Sequence, residues 1–243
     1  QQNGDHYTNP ATFTSTTDVS QSPVVGFVYW ARGQVVGFAT CGDSIGNGQG
    51  TVIGEGWAVP LLDALTQSTG VATEYSNFSW AGQEALNTTS GTGFMQRALD
   101  ILRDENVRPA VLMTPVGSFN PISAPLTQAH VDKQATMLRQ LVSEAVAKGT
   151  KVMGYTWSPI RTAAAAYGTS DALRVSYNSE CVAGINGAEV IDFSATLSAE
   201  ITGGMVQLNS IYTDDNVHPN DAGNAAISRV ALPVATRIIG DLL

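Results

Sequence analysis

The sequence predicts an α/β fold, a three-layer α/β/α sandwich built on about five parallel strands. Three observations lead there. Short β-type apolar runs alternate with stretches of helical spacing along the chain. Strands separated by helices need crossover connections, and crossovers make a sheet mainly parallel. No internal repeat and no Pro/Gly/Ser-rich linker divides the middle, so residues 23–243 are expected to form a single domain behind an extended polar lead-in over residues 1–22.

The elements follow in order. Val24–Trp30 and Gln34–Ala39 both read as strands, with Arg32-Gly33 as a turn between them. The second runs into Thr40-Cys41-Gly42-Asp43-Ser44. Trp57–Leu65 carries apolar residues at helical spacing, Val71–Tyr75 is a strand, and Phe94–Leu102 is a helix. Ala110–Met113 is a strand-like run just after Pro109. Thr127–Ala147 is the longest helical pattern, with Gly149 where a C-cap belongs. Lys151–Thr156 is the next strand, Ser170–Gly184 a helix and Val190–Asp192 a short strand. A final helix starts at Asp221, and Pro233 is expected to bend or interrupt it.

Composition narrows the function classes. Apolar residues make up 43%, enough for a sizeable core. Only 14% are charged, so the polar surface must come from Ser, Thr, Asn, Gln and Gly. Twelve basic and twenty-one acidic residues give a net charge of −9, with the basic ones scattered. Such a surface repels a phosphate backbone and argues against a nucleic-acid partner. The longest apolar runs fall far short of the ~20 residues of a membrane span.

The first 22 residues carry no hydrophobic signal core, and the chain begins with Gln rather than Met. It reads as a processed or trimmed product, for which a removed secretion signal and excision from a longer polypeptide fit equally. Cys41 and Cys181 are too few for a disulfide framework and too far apart for a metal knuckle. Buried free thiols are expected, with a single bridge as the alternative. Asn77-Phe78-Ser79 and Asn87-Thr88-Thr89 match the glycosylation pattern, which chance explains in a chain this rich in Asn, Ser and Thr.

In open α/β sheets, ligands sit beyond the carboxyl ends of the strands. Ser44, Gly82, the stretch Thr114–Asn120, Trp157 and the segment before His218 all qualify. Gly42-Asp43-Ser44-Ile45-Gly46 matches the G-x-S-x-G nucleophile elbow. A sharp turn there pushes the serine hydroxyl out of the sheet. The flanking glycines leave room for unusual backbone angles and for a substrate, and nearby N–H groups can meet an oxyanion. With 24 glycines in the chain, an ordinary turn is the competing account.

A serine hydrolase of this kind needs a histidine, and there are three. His6 in the lead-in and His130 at a helix start read as surface residues. His218 is held before Pro219, which steers it toward extended backbone, while Asn220 or Asp221 can cap the helix that follows. Asp215, three residues earlier, can fold back to accept a hydrogen bond from the imidazole Nδ1–H. That bond fixes the tautomer and stabilises the imidazolium. A polar loop that merely caps a helix is the alternative.

Together these residues resemble the SGNH (GDSL) hydrolase superfamily. Its first block matches Gly42-Asp43-Ser44, and its last matches Asp215-x-x-His218 with Pro219 behind it. The resemblance implies a flavodoxin-like fold, with Ser44 as nucleophile, His218 as base and Asp215 as its orienter. It also implies an oxyanion hole from the Ser44 and Gly82 N–H groups and the Asn120 amide. Gly82 in Ser79-Trp80-Ala81-Gly82-Gln83 fits the family's glycine block. The asparagine block departs from Gly-x-Asn-Asp: Gly117-Ser118-Phe119-Asn120-Pro121 is one residue longer, with Pro in place of Asp. An ordinary α/β-hydrolase shares the elbow, but its serine follows several strands and its acid lies far from the histidine in sequence.

The implied chemistry is two-step acyl transfer with no metal or organic cofactor. The favoured substrate is an acetyl ester on a carbohydrate, acted on outside the cytoplasm or at the surface of a larger assembly. Trp80, Trp157 and Tyr212 could stack on sugar rings or could equally be core. A lipase or thioesterase is the alternative within the fold, and a non-catalytic carbohydrate-binding or virion-surface module the alternative outside enzymology. If Asn120 is an oxyanion donor, Asn120→Ala lowers kcat by roughly 10²- to 10³-fold with KM little changed. Steady-state kinetics on a simple ester checks this, and an equal rise in KM would assign Asn120 to ground-state binding.

Overall fold

Five strands form the sheet of the computed structural model, which describes residues 34–51, 56–86, 93–118, 127–159, 171–199 and 206–243. They are β1 (Val35–Thr40), β2 (Ala72–Asn77), β3 (Val111–Pro115), β4 (Lys151–Tyr155) and β5 (Ala188–Ile191). All pair in parallel in the order β2-β1-β3-β4-β5. The chain steps from β1 outward to β2, then returns to place β3 on the other side of β1. The expected lead-in, the strand Val24–Trp30 with its Arg32-Gly33 turn, His6 and the Asn87 triplet lie outside the described residues.

Among the described residues six α-helices cover the two faces: α1 (Ala58–Thr69), α2 (Phe94–Arg103), α3 (Gln128–Ala147), α4 (Asp171–Ala183), α5 (Phe193–Leu197) and α6 (Asp221–Leu242). The strand period of two sorts the side chains between them. In β3, Val111 and Met113 join Leu61, Leu62 and Leu65 of α1, Phe193 of α5 and Ile227, Ala231 and Ile238 of α6. Leu112 faces the opposite way, into a core with Met95, Ala98 and Leu102 of α2, Leu138 and Leu141 of α3 and Tyr177 of α4. The expected three-layer α/β/α sandwich is therefore observed. Among the described residues no helix is long and apolar enough to cross a membrane.

Some boundaries differ from the sequence expectation. Strand β2 runs to Asn77 rather than Tyr75, because Phe38 and Thr40 of β1 give it partners over that length. It is a half-buried edge strand, so its apolar signal is weak. Strand β5 starts at Ala188 and ends at Ile191, since Asp192 leaves the strand to cap α5 by accepting the Ala195 N–H. Pro233 does not interrupt α6, which runs 22 residues. Pro233 lies on the exposed face, where the carbonyl freed at Arg229, also exposed, can turn to water. Apolar contacts of Ala231, Ala235, Ile238 and Ile239 hold both halves against the sheet. The short antiparallel β-ribbon of Ser198–Ala199 with Gln207–Leu208 carries no signal that sequence patterning detects.

Both cysteines are buried and free. Burial pushes each thiol up to about 11, well above its ordinary value, so neither is a ready thiolate. Leu61 is fully buried where α1 packs on α6 and the sheet. Leu61→Ala is expected to cost about 2–5 kcal/mol of stability, whereas Val230→Ala on the exposed side of α6 should stay within about 0.5 kcal/mol. Urea unfolding measures both, and equal losses would contradict this packing.

Candidate active site

Beyond the end of β1 the chain keeps its tie to the β2 side. The Thr40 carbonyl accepts the Phe78 N–H at 2.8 Å, and the Gly42 carbonyl accepts the Trp80 N–H at 3.1 Å. The chain then curls into a helical turn, with the Asn47 N–H on the Asp43 carbonyl and the Gln49 N–H on the Ser44 carbonyl, both at 3.0 Å. Ser44 heads this turn.

The flanking glycines act by lacking a side chain rather than by adopting unusual angles, which corrects the sequence expectation. Neither Gly42 nor Gly46 has a positive φ. A Cβ on Gly42 would lie 2.8 Å from Pro115 Cδ and 2.9 Å from the Tyr155 hydroxyl. One on Gly46 would lie 2.5 Å from Ser79 Oγ and 3.0 Å from the same Tyr155 hydroxyl. Tyr155 forms the floor, stacked on Phe193 with ring centroids 4.7 Å apart and met edge-on by Trp57 at 5.3 Å. Burial holds its phenol well above the ordinary tyrosine range, so it stays neutral.

Asp43 is buried, and its side chain points back into the protein. Its carboxylate accepts the Ser118 hydroxyl at 2.7 Å and the Ile45 N–H at 3.0 Å. Burial raises its pKa, an effect that these hydrogen bonds only partly offset. Gln134 of α3 accepts the Ser118 N–H and donates to the Ser118 carbonyl. Asn77 at the end of β2 accepts the Thr40 hydroxyl and the Ser79 N–H and donates to the Gly46 carbonyl at 3.3 Å. The amide of the Asn77-Phe78-Ser79 triplet thus has a structural part beside the nucleophile turn.

The second half of the site is assembled locally. Asn220 caps α6 by accepting the Gly223 N–H, and Thr213 bridges to Pro219 across the loop. Between them Asp215 Oδ1 accepts the N–H groups of Val217 (2.8 Å) and His218 (2.7 Å). Asn216 takes the left-handed conformation that closes this turn, with φ 69°; Asn tolerates that region better than most side chains. Asp215 Oδ2 then meets His218 Nδ1 at 2.5 Å, and His218 Nε2 lies 2.9 Å from Ser44 Oγ. Burial by itself would raise the Asp215 carboxyl. The hydrogen bonds from the His218 ring and from the His218 and Val217 N–H groups outweigh it and bring the value down to about 2.

The structure thus brings Ser44, His218 and Asp215 into one hydrogen-bonded line. Asp214 instead accepts the Asn220 amide at 3.1 Å. His130 sits in the first turn of α3 beside Thr127, away from this line. Gly82 has φ 73°, the left-handed region that favours glycine. Among the described residues neither the Ser44 nor the Gly82 N–H is taken up by a hydrogen bond. Asn120 lies outside the described residues. The Ser118 N–H, in the same block, is committed to Gln134.

Four supporting residues were not singled out for these roles from sequence. Asp43 stood inside the matched Gly42-Asp43-Ser44 block, with no part of its own assigned to it. Asn77 was visible only as a glycosylation pattern. Arg97 donates to the Gln83 side chain at 3.1 Å and to the Gly42 carbonyl at 3.4 Å, a tertiary contact with no local signature. Gly50 backs the imidazole: a Cβ there would lie 2.8 Å from both His218 Cβ and the Pro219 carbonyl.

No protein-family model matches the chain, and no curated protein matches its sequence. Solved structures do match its fold. A GDSL-like lipase from Bacteroides thetaiotaomicron superposes with a TM-score of 0.58 at 19% identity, over 84% of this chain and 88% of that one. A carbohydrate acetylesterase family member from Sinorhizobium meliloti gives 0.58 at 16% identity, over 84% and 99%. A family 3 carbohydrate esterase of Clostridium thermocellum gives 0.57 at 17% identity, over 86% and 99%. The fold is that of the SGNH (GDSL) hydrolases.

The two neighbouring carboxylates separate cleanly in a test. Asp215→Asn is expected to lower turnover of an ester substrate by about 10²- to 10⁴-fold, since it removes the group that orients and charges the imidazole. Asp214→Asn should cost less than about threefold. The reverse ranking in kcat would mean that Asp214 is the acid.

Proposed function

We propose that this protein is a serine esterase of the SGNH type that cleaves short acyl esters, acetyl above all, carried on a carbohydrate. The observation that carries the proposal is the line from Asp215 through His218 to Ser44, at 2.5 and 2.9 Å. Nucleophile, base and orienter at hydrogen-bond reach in that order are what acyl transfer through serine requires. The Ser44 and Gly82 N–H groups, which no hydrogen bond takes up among the described residues, support it, as does the acyl-ester chemistry named for the structural neighbours, two of them carbohydrate esterases.

In this mechanism Ser44 Oγ attacks the ester carbonyl carbon while its proton passes to His218 Nε2. Negative charge gathers on the former carbonyl oxygen, where the Ser44 and Gly82 N–H groups, with the Asn120 amide, would receive it. Collapse breaks the bond to the alcohol oxygen, which takes the proton back from His218 and leaves. A water then loses a proton to His218, attacks the acyl-enzyme and releases the acid and a free Ser44. Asp215 remains ionised throughout. The reaction as written uses no metal or organic cofactor, and its substrate is a small acyl ester or an acetylated carbohydrate. An extracellular setting belongs to the same proposal, supported by the net charge of −9 and the sparse charged residues.

Hydrolysis of 4-nitrophenyl acetate by the purified chain tests the reading. Ser44→Ala should lower kcat by about 10³-fold or more without changing the circular dichroism spectrum. With Asp215 held at about 2, its carboxylate does not titrate between pH 4 and 9. The acid limb of log(kcat/KM) should therefore carry no ionisation of Asp215. A fully active Ser44→Ala variant would remove the proposal, and a slope of two would bring in a second acid. Rates that climb from acetate to decanoate esters would favour a lipase.

A further inference from the structure

Three aromatic residues stand near strand ends on the sequence, and the structure separates them. Trp157 is 4% exposed and packs in the α2–α3–α4 core. Tyr212 is half-buried, with Gly223 pressed against its main chain and Cβ. Trp80 is 53% exposed. Its backbone N–H is bonded to the Gly42 carbonyl, Ser79 before it packs on Gly46, and Gly82 follows two residues later. An open indole is therefore mounted on the segment that grips the nucleophile turn on both sides of Ser44.

The ring is also backed. The Arg97 guanidinium lies over it, with Cζ 4.5 Å from the ring centroid. That guanidinium is pinned by its bonds to Gln83 and the Gly42 carbonyl, and Arg97 itself rises from α2. α2 in turn is stitched to the same loop by the Phe94 N–H on the Glu84 carbonyl and the Met95 N–H on the Ala85 carbonyl. A cation on one face of an indole holds the ring in place. A surface tryptophan with its orientation fixed in advance loses little freedom when something stacks on it.

We propose that Trp80 is the subsite for the alcohol portion of the substrate, a platform on which the pyranose ring bearing the scissile ester stacks, with Arg97 as its fixed backing. The inference rests on the esterase reading of Ser44. The chemistry follows from the shape. A pyranose has a face of C–H groups that suits the electron-rich face of an indole, and a rim of hydroxyls that stays in water. A long acyl chain gains little from one flat, half-exposed ring, since it needs an enclosed apolar channel to be removed from water. Arg97 occupies one face of the indole, so the platform takes one ring, on the other face.

Selectivity measures this directly. Let R be kcat/KM for acetylated xylobiose divided by kcat/KM for ethyl acetate, which has no ring to stack. Trp80→Ala is expected to lower R by about tenfold or more, chiefly through KM on the sugar ester. Trp80→Phe, which keeps a stacking face, should hold R within about threefold of wild type. Arg97→Met should lower R as well, by freeing the indole. An unchanged R in Trp80→Ala would overturn the platform, and so would a wild-type enzyme that cleaves ethyl acetate but not the sugar ester. Equal losses on both esters would also overturn it, making Trp80 a support for the Gly82 loop only. A wild-type protein inactive on both, and unreactive with a phosphonate ester at Ser44, would sink the esterase reading and this one together.

Discussion

Between Gly42 and Gly46 the main chain lies so close to Pro115, Tyr155 and Ser79 that no side-chain carbon fits at either glycine. Pro115 ends β3, Tyr155 ends β4 and Ser79 follows β2. The carboxyl ends of three neighbouring strands thus form the bed on which the turn after β1 rests. The position of Ser44 is set by the sheet itself, at the place where the chain reverses direction across β1. Any side chain at either glycine would lift the turn off that bed and carry the hydroxyl with it. The aromatic stack of Trp57, Tyr155 and Phe193 beneath gives the bed its rigidity, since close-packed interiors do not yield by fractions of an ångström without cost.

The imidazole is delivered by a different route. Asp215 to Pro219 is a self-contained loop whose shape comes from its own hydrogen bonds, so it would hold His218 in much the same pose wherever it stood. What brings it to Ser44, 174 residues away in sequence, is α6. That helix packs along α1 and the sheet, and the Ser228 hydroxyl donates to the Trp57 carbonyl at the start of α1. Gly50, in the tail of the nucleophile turn, presses against His218 Cβ and completes the contact. A rigid serine turn and a rigid imidazole loop are mated by helix packing, and the distance between them depends on apolar surfaces far from both.

How much of this was legible in sequence follows from which interactions are local. The helices α2 and α3 and the buried strands β3 and β4 show clear apolar patterns, and the structure has them within a residue or two of expectation. Strand β2 was blurred because an edge strand shares its residues between core and solvent. Pro233 misled because sequence alone does not say which face of a helix meets water. In the site, Ser44, Asp215 and His218 lie in short segments whose residue types state their chemistry. Asn77, Arg97 and Gly50 reach the Ser44 turn and the imidazole through Gly46, Gly42 and His218, which lie 31, 55 and 168 positions away, and no short window of sequence contains both halves of such a contact.

The two aspartates of the site show why residue type alone does not give role. Asp43 is enclosed, and burial raises its pKa despite the Ser118 hydroxyl and the Ile45 N–H. Asp215 lies nearer the surface, where two backbone N–H groups and the imidazole hold it at about 2. Their contributions to stability therefore run in opposite directions with pH. For Asp215 the folded value lies below the unfolded one, so its stabilisation is present above the ordinary carboxyl range and is lost as pH falls toward 2. For Asp43 the folded value lies above, so its contribution is full in acid and is lost as pH rises through that raised value. The two carboxyls are thus pushed in opposite directions, Asp215 down by the hydrogen bonds it accepts and Asp43 up by its burial. The exposed, locally built carboxylate thus meets the imidazole, while the buried one is tied to Ser118 and Ile45 and fixes the turn that carries Ser44.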